Sequence, residues 1–173
     1  MIRIISGNLK GRKLHNFKKE DIRPTQAKVR KSIFDSIRDF DNKSILDLFA
    51  GMGTLGIESI SRGAKKVKFK EKDYRVARLI KKNIEKLGIE ENSVIVKSDV
   101  INFLNYDKEK YDIIFADPPY GKFLFKEIFS SIASLVKDGG IFCYESNKQN
   151  IDDNIPVKIK HFGNTQIVIW EKK

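Results

Sequence analysis

Asp117-Pro118-Pro119-Tyr120 follows an almost unbroken apolar run from Tyr111 to Ala116. A run of that kind suits a central strand buried on both faces, which puts the tetrapeptide at the strand's exit. A carboxylate there, stiffened by two prolines, is costly unless it is used. A proline carbonyl accepts hydrogen bonds while its nitrogen donates none. Asp117 and the Pro118 carbonyl are therefore suited to accept together from one NH2 group, with Pro119 holding the turn and Tyr120 offering a ring on which a flipped-out base stacks. An aryl amine is a poor nucleophile because its lone pair is delocalised, so positioning and stabilisation of developing charge are the main levers. The chemistry indicated is group transfer to the exocyclic amine of a nucleic-acid base. The competing reading is an ordinary Pro-rich turn.

A second constellation precedes it. Asp47-Leu48-Phe49-Ala50-Gly51-Met52-Gly53-Thr54-Leu55-Gly56 runs from a short apolar strand into a helix through glycines, and small residues let backbone approach a ligand closely. Gly51, Gly53 and Gly56 formally spell G-x-G-x-x-G, which also raises NAD. Asp47 at the strand end favours S-adenosylmethionine: a carboxylate there attracts the ammonium of the methionine part and repels a pyrophosphate. Glu71, after the next strand, suits ribose hydroxyls of either cofactor. Asp99 suits an adenine amine, with Val100 packing on the ring; a helix N-cap is the competing reading for Asp99. The candidate cofactor-binding set is Asp47, Phe49, Ala50, Gly51, Gly53, Glu71, Lys72, Asp99 and Val100. A methyl donor brings its own leaving group, so no metal and no nucleophilic side chain is required.

The elements that must position these residues alternate. Strands are expected at Ser44 to Leu48, Lys65 to Lys70, Ser93 to Lys97, Tyr111 to Ala116 and Gly140 to Glu145, and helices at Leu55 to Arg62, Tyr74 to Leu87, Val100 to Leu104 and Phe123 to Val136. Gly63 and Gly88 read as helix ends. Val157 to His161 and Gln166 to Glu171 flank Gly163-Asn164, a hairpin signal. Met1 to Leu14 reads as extended pieces around the turn Gly7 to Gly11. Val29, Ile33, Ile37 and Phe40 recur at helical spacing, so Gln26 to Asp39 is expected to be a helix, with Thr25 as its N-cap. The fold class is α/β: a Rossmann-like seven-stranded sheet with helices on both faces and an antiparallel C-terminal hairpin. Residues 1–42 form a basic, RNA-facing hairpin-and-helix extension, and residues 43–173 the cofactor-binding domain, in one compact unit.

Composition bounds the partners. The chain has 173 residues and a formal net charge of +11. Residues 1–31 hold ten Lys or Arg against only Glu20 and Asp21, and a polyanion is the natural partner of such a segment. A Lys-rich genome is the bland alternative. No run approaches the roughly 20 apolar residues of a membrane span, and Met1 to Lys13 has no signal-peptide core. The single Cys143 excludes an internal disulfide and suits a cytoplasmic setting; in an apolar strand it reads as core.

Together these residues resemble a known family. Gly51 to Gly56 followed by Asp117 to Tyr120 look like the amino-methyltransferases of nucleic acids. Ser6-Gly7-Asn8-Leu9-Lys10-Gly11-Arg12-Lys13-Leu14, then Arg23-Pro24-Thr25 and Val29-Arg30, are similar to the bacterial small-subunit (16S) ribosomal RNA guanine-N2 methyltransferase family, RsmD. So is the stretch from Asp47 through Phe49, Ala50, Gly51, Gly53, Leu55, Gly56 and Glu58 to Ser61-Arg62-Gly63-Ala64. The resemblance covers nearly the whole chain. It implies methyl transfer from S-adenosylmethionine to a guanine N2 amine of small-subunit RNA, within a partly or fully assembled particle; the chain is expected to act as a monomer. It also implies that Arg23 to Arg30 face the active site or RNA; with the basic hairpin this gives Arg12, Lys13, Arg23, Pro24, Thr25 and Arg30 as candidate RNA contacts. Ser6, Met52 and Lys31 stand where the family usually has Gly, Ser and Glu. The runner-up is an adenine-N6 methyltransferase acting on DNA or RNA, since Asp-Pro-Pro-Tyr serves either amine. An NAD oxidoreductase, or a nucleic-acid-binding protein without catalysis, leaves more of the residues unexplained.

Overall fold

The structure is a computed structural model that describes residues 2–16, 27–119 and 121–173. In chain order the elements are α1 (Ala27–Ser36), β1 (Ser44–Leu48), α2 (Thr54–Ser61), β2 (Lys66–Lys70), α3 (Tyr74–Leu87), a 3-10 turn at Glu90–Asn92, β3 (Ser93–Val96), α4 (Val100–Tyr106), β4 (Tyr111–Ala116), α5 (Phe125–Leu135), β5 (Val136–Asn147), β6 (Val157–Phe162) and β7 (Thr165–Glu171). The strands form one seven-stranded sheet in the order β3-β2-β1-β4-β5-β7-β6. β1 to β5 are parallel neighbours, and β7 runs antiparallel to both β5 and β6. This is the seven-stranded Rossmann-like sheet with an antiparallel C-terminal hairpin that the sequence leads one to expect. No helix of the described residues is long and apolar enough to cross a membrane.

Alternation along the strands sorts the core into two layers. Ile45, Val67, Phe69, Ile113, Phe115 and Cys143 face α1, α2 and α3, while Leu46, Leu48, Ile114, Ala116, Phe142 and Tyr144 face α4 and α5. α3 carries the strongest helix signal. Asp73 caps it by accepting from the N–H groups of Arg75 and Val76, and Gly88 closes it at φ 68°. Ile80 on its inner face is fully buried. The third glycine of the turn, Gly56, is there for packing: a Cβ at that position would lie 2.3 Å from Phe69 Cε1, so only glycine lets α2 sit this close to β2.

Several boundaries differ from expectation, each for a local reason. α1 ends at Ser36 rather than Asp39, although Ile37 and Phe40 remain buried. The chain leaves the helix through a turn in which Asp39 Oδ1 accepts the Asp41 N–H and Asn42 takes φ 56°. Thr25 and Gln26, the expected helix start, lie outside the described residues. α5 begins at Phe125 because the Glu127 carboxylate accepts the Leu124 N–H at 2.8 Å, fixing the first turn there. β5 begins earlier than expected and runs through Gly139-Gly140. A register shift against β4 accommodates the glycines. The ladder to β7 survives through Gly139 N–H to Lys172 O and Lys172 N–H to Gly140 O.

The N-terminal segment pairs as a single antiparallel bridge, Arg3 with Lys13, rather than as two strands. It is fastened to the sheet domain. The buried Glu58 carboxylate on α2 accepts the N–H groups of Ile5 (2.7 Å) and Ser6 (2.9 Å) and the Arg62 Nε–H. Ser61 Oγ accepts the Leu9 N–H, and Ser61 O accepts the Asn8 N–H. Asn83 on α3, fully buried, holds the backbone of His15 in both directions. Gly7 sits at φ +81°, and a Cβ there would meet Ser61 O at 1.7 Å. Ile4 and Leu14 thereby join the same apolar cluster as Ile33 and Phe34 of α1.

Candidate active site

In open α/β sheets a ligand sits beyond the carboxyl ends of the strands, where strand order reverses. Here the chain moves outward through β2 and β3, then returns to place β4 on the other side of β1. The switch point is therefore the gap between β1 and β4. The register pairs Asp47 with Phe115 and Leu48 with Ala116, so the glycine turn and Asp117 emerge side by side. The residues of the two motifs, 70 positions apart in sequence from Asp47 to Asp117, meet at one end of the sheet.

The turn is held by acids. Asp47 is 2% exposed, and its Oδ2 accepts the Gly56 N–H at 3.0 Å. Glu71 Oε2 accepts the Gly51 N–H at 3.0 Å, and Oε1 accepts the Asp73 N–H at 2.9 Å. Gly51 and Gly53 adopt φ 53° and 74°. Phe49 is also left-handed, at φ 57°, with its ring 5.0 Å from that of Phe123. A bulky residue in that region is a backbone outlier of the sort that gathers at functional sites. Ala50 is buried, and its N–H is accepted by Lys70 O.

Electrostatics single out Asp47. Burial pushes its carboxyl well above the ordinary value, and the charges of Asp117 and Glu71 push the same way, against the Gly56 hydrogen bond. Two further carboxylates thus bear on Asp47 at the switch point. Lys70, at the end of β2, is fully buried and its Nζ has no hydrogen-bond partner among the described residues. Burial lowers its pKa, while attraction to Glu71 and Asp99 opposes the drop. Its amine is the local counterweight to those acids. Sequence reading passed over Lys70 because alternation alone makes it one more charge in a Lys-rich strand.

The other candidates fall as follows. Asp99 caps α4, accepting the Ile101 N–H at 2.9 Å, and its second oxygen lies 3.7 Å from Lys72 Nζ. Val100 is buried beside it, in the cluster containing Leu48. Pro118 is buried and Pro119 exposed, with Pro119 O accepting the Lys122 N–H. Tyr120, Arg23, Pro24 and Thr25 lie outside the described residues. Arg12 and Lys13 are exposed; Arg12 Nη2 donates to Lys86 O at the end of α3. Arg30 is placed differently from Arg12 and Lys13. It is 5% exposed, and its Nη2 donates to Arg3 O at 2.8 Å. It lies on the inner face of α1 with Val29, Ile33 and Phe34, where it fastens the N-terminal segment through Arg3 O. Cys143 is buried in β5, where burial pushes its thiol up, as expected of core.

The family model described as Conserved hypothetical protein 95 matches residues 2–171. The chain belongs to this family. A relative from Buchnera aphidicola subsp. Acyrthosiphon pisum, named Ribosomal RNA small subunit methyltransferase D, is 37% identical over 155 residues, covering 87% of this chain and 81% of the relative. Putative rRNA methyltransferase YlbH from Bacillus subtilis is 30% identical, covering 99% of this chain and 100% of its own length. Among solved structures, putative methyltransferase yhhF from Escherichia coli superposes with a TM-score of 0.87 at 29% identity, covering 99% of this chain and 98% of that one. The match spans the N-terminal segment as well as the sheet.

Proposed function

We propose that this methyltransferase transfers the methyl group of S-adenosylmethionine to the exocyclic N2 amine of a guanine in small-subunit ribosomal RNA. The observation that carries the cofactor is the acid cluster at the switch point. Burial, together with the charges of Asp117 and Glu71, raises the cost of ionising Asp47 there, and a ligand bearing ammonium and sulfonium charges relieves it. A pyrophosphate would deepen the same repulsion, which disfavours NAD despite the glycine spacing. Gly51 and Gly53 give close backbone access, and Glu71 still has lone pairs for ribose hydroxyls. Asp99 and Val100 suit adenine in the same way, with Lys72 at the rim.

When bound, the cofactor supplies an electrophilic methyl whose bond to sulfur breaks as the bond to nitrogen forms. The chain's own residues hold and orient the amine. Asp117 and the Pro118 carbonyl accept its two N–H groups, which aims the lone pair and stabilises the positive charge that grows on nitrogen. The amine then gives up one proton, to Asp117 or to water. Tyr120 is assigned the stacking face for the base. Residues 1–42, with Arg12, Lys13, Arg23, Pro24 and Thr25, are assigned the RNA-facing role. An rRNA substrate is supported by the names of the relatives above; guanine N2 and a small-subunit particle rest on the resemblance of the N-terminal motifs.

The cofactor assignment is tested by calorimetry on the purified chain with S-adenosylhomocysteine and, separately, NAD. Binding of the first and none of the second is the expected outcome. The reverse order would remove the reading at its root.

A further inference from the structure

We propose that the edge strand β6, on the face it shares with α1, is a second track for the RNA backbone, carrying the strand that flanks the target nucleotide away from the catalytic end. The inference rests on the RNA-methyltransferase reading above and adds a surface to it.

β6 is the outer strand of the sheet, and edge strands are normally protected by charge or cover. Lys158 and Lys160 alternate with Val157, Ile159 and His161, so both lysines share one face with Phe162. That face is the α1 side. Lys160 Nζ donates to Ser36 Oγ at 2.8 Å, and Lys28 Nζ lies 5.7 Å from the Phe162 ring centroid. Lys28, Lys158 and Lys160 are exposed. The sequence holds no acid between Asp153 and Glu171. On α1 the acid near this face is Asp35, whose charge is engaged by Lys31 at 2.7 Å. Protecting an edge needs no more than a lysine; a directed file of them, continued by α1 and free of acids in its own hairpin, points to a polyanion.

The register ties the file to the active site. Ala116 pairs with Tyr144, and Asn147 and Phe162 both pair with Thr165. Phe162 is therefore level with the turn that begins at Asp117, about 14 Å across three strand spacings. Lys148, exposed, stands in the same row through its N–H to Asn164 O. From there Lys160 and Lys158 descend at about 7 Å intervals along the strand, a spacing suited to successive phosphates. The N-terminal end of α1 lies at the same level, since Lys28 meets Phe162.

The test measures binding of a mixed-sequence single-stranded RNA oligonucleotide to the full chain as a function of salt. Removing two phosphate contacts with Lys158→Ala/Lys160→Ala makes the slope of log affinity against log salt shallower by about 1.4, with S-adenosylhomocysteine affinity unchanged. Lys108→Ala/Lys126→Ala, exposed lysines outside β6 and α1, leaves the slope as it was. An unchanged slope in the β6 variant, or an equal loss in the control variant, overturns the track while leaving the enzyme reading intact. A wild-type chain that binds no RNA at any salt overturns both.

Discussion

Asp117→Ala lowers methyl transfer by at least about 10²–10³-fold, the usual cost of removing one preorganised group at a reacting centre, while cofactor binding persists. The expectation follows from where the side chain sits. β4 is buried on both faces, from Tyr111 at 1% exposure to Ala116 at 1%, so its exit is rigidly placed. Asp117 follows directly, beside the glycine turn because β4 pairs with β1. The buried Pro118 stiffens the backbone there. In the proposed mechanism, loss of the carboxylate removes an acceptor for the amine and its developing charge, not a contact of the cofactor's ribose or adenine. Asp117→Asn keeps one carbonyl acceptor but turns an NH2 toward the substrate amine, and retains activity between the two. Single-turnover kinetics with saturating cofactor separate the effects; undiminished transfer by the Ala variant would sink the mechanism.

Asp47→Asn makes the cofactor-free protein more stable and the cofactor-bound state weaker. Burial and the charges of Asp117 and Glu71 hold this carboxyl well above its ordinary value. The folded protein therefore retains a proton that the unfolded chain has already released. As pH rises from the ordinary carboxylate range of about 4 through the raised folded value, folding loses free energy. Asn preserves an oxygen to accept the Gly56 N–H and removes that loss, so the melting temperature of the free protein rises and its decline above about pH 4 flattens. The same change removes a negative charge from the site assigned to the ammonium. At a ligand concentration near a hundred times Kd, a bound cofactor stabilises the wild type by about 2.7 kcal/mol, or about 5–10 °C for a chain of this size. A tenfold weaker complex gives up about 1.4 kcal/mol of that. Thermal melts from pH 4.5 to 8, with and without S-adenosylhomocysteine, read both effects. A free-protein melting temperature that falls, with an unaltered ligand shift, would show Asp47 to be a plain structural acid.

How much of this was legible in the sequence depends on whether the signal is local. Tyr111 to Ala116 and Tyr74 to Leu87 were read to the residue, because a nearly unbroken apolar run and a capped amphipathic helix each carry their boundaries within themselves. The meeting of Asp47, Glu71 and Asp117 was legible as well, since alternating strands and helices force successive strand ends to one edge. Glu58, Ser61 and Asn83 were not read as fasteners. Their partners are backbone N–H and C=O groups 52 to 68 positions away, and no periodicity reports such bonds. Arg30 is a similar case: in a basic segment it looks like a contact for RNA, and only packing shows that its side chain is turned inward to Arg3 O. The strand expected from Gly140 begins at Val136, because pairing with Lys172, just past β7, carries the ladder across Gly139-Gly140. Asp47 was read as a ligand acid, and the structure adds that it first props Gly56.

The most direct test of the central claim is transfer of labelled methyl from S-adenosylmethionine to small-subunit ribosomal RNA, presented as particles from cells lacking this protein, followed by nucleoside mass analysis of the digested RNA. The account predicts a single new N2-methylguanosine that disappears with Asp117→Ala. Label appearing in N6-methyladenosine, or no label in RNA with cofactor bound, would contradict it.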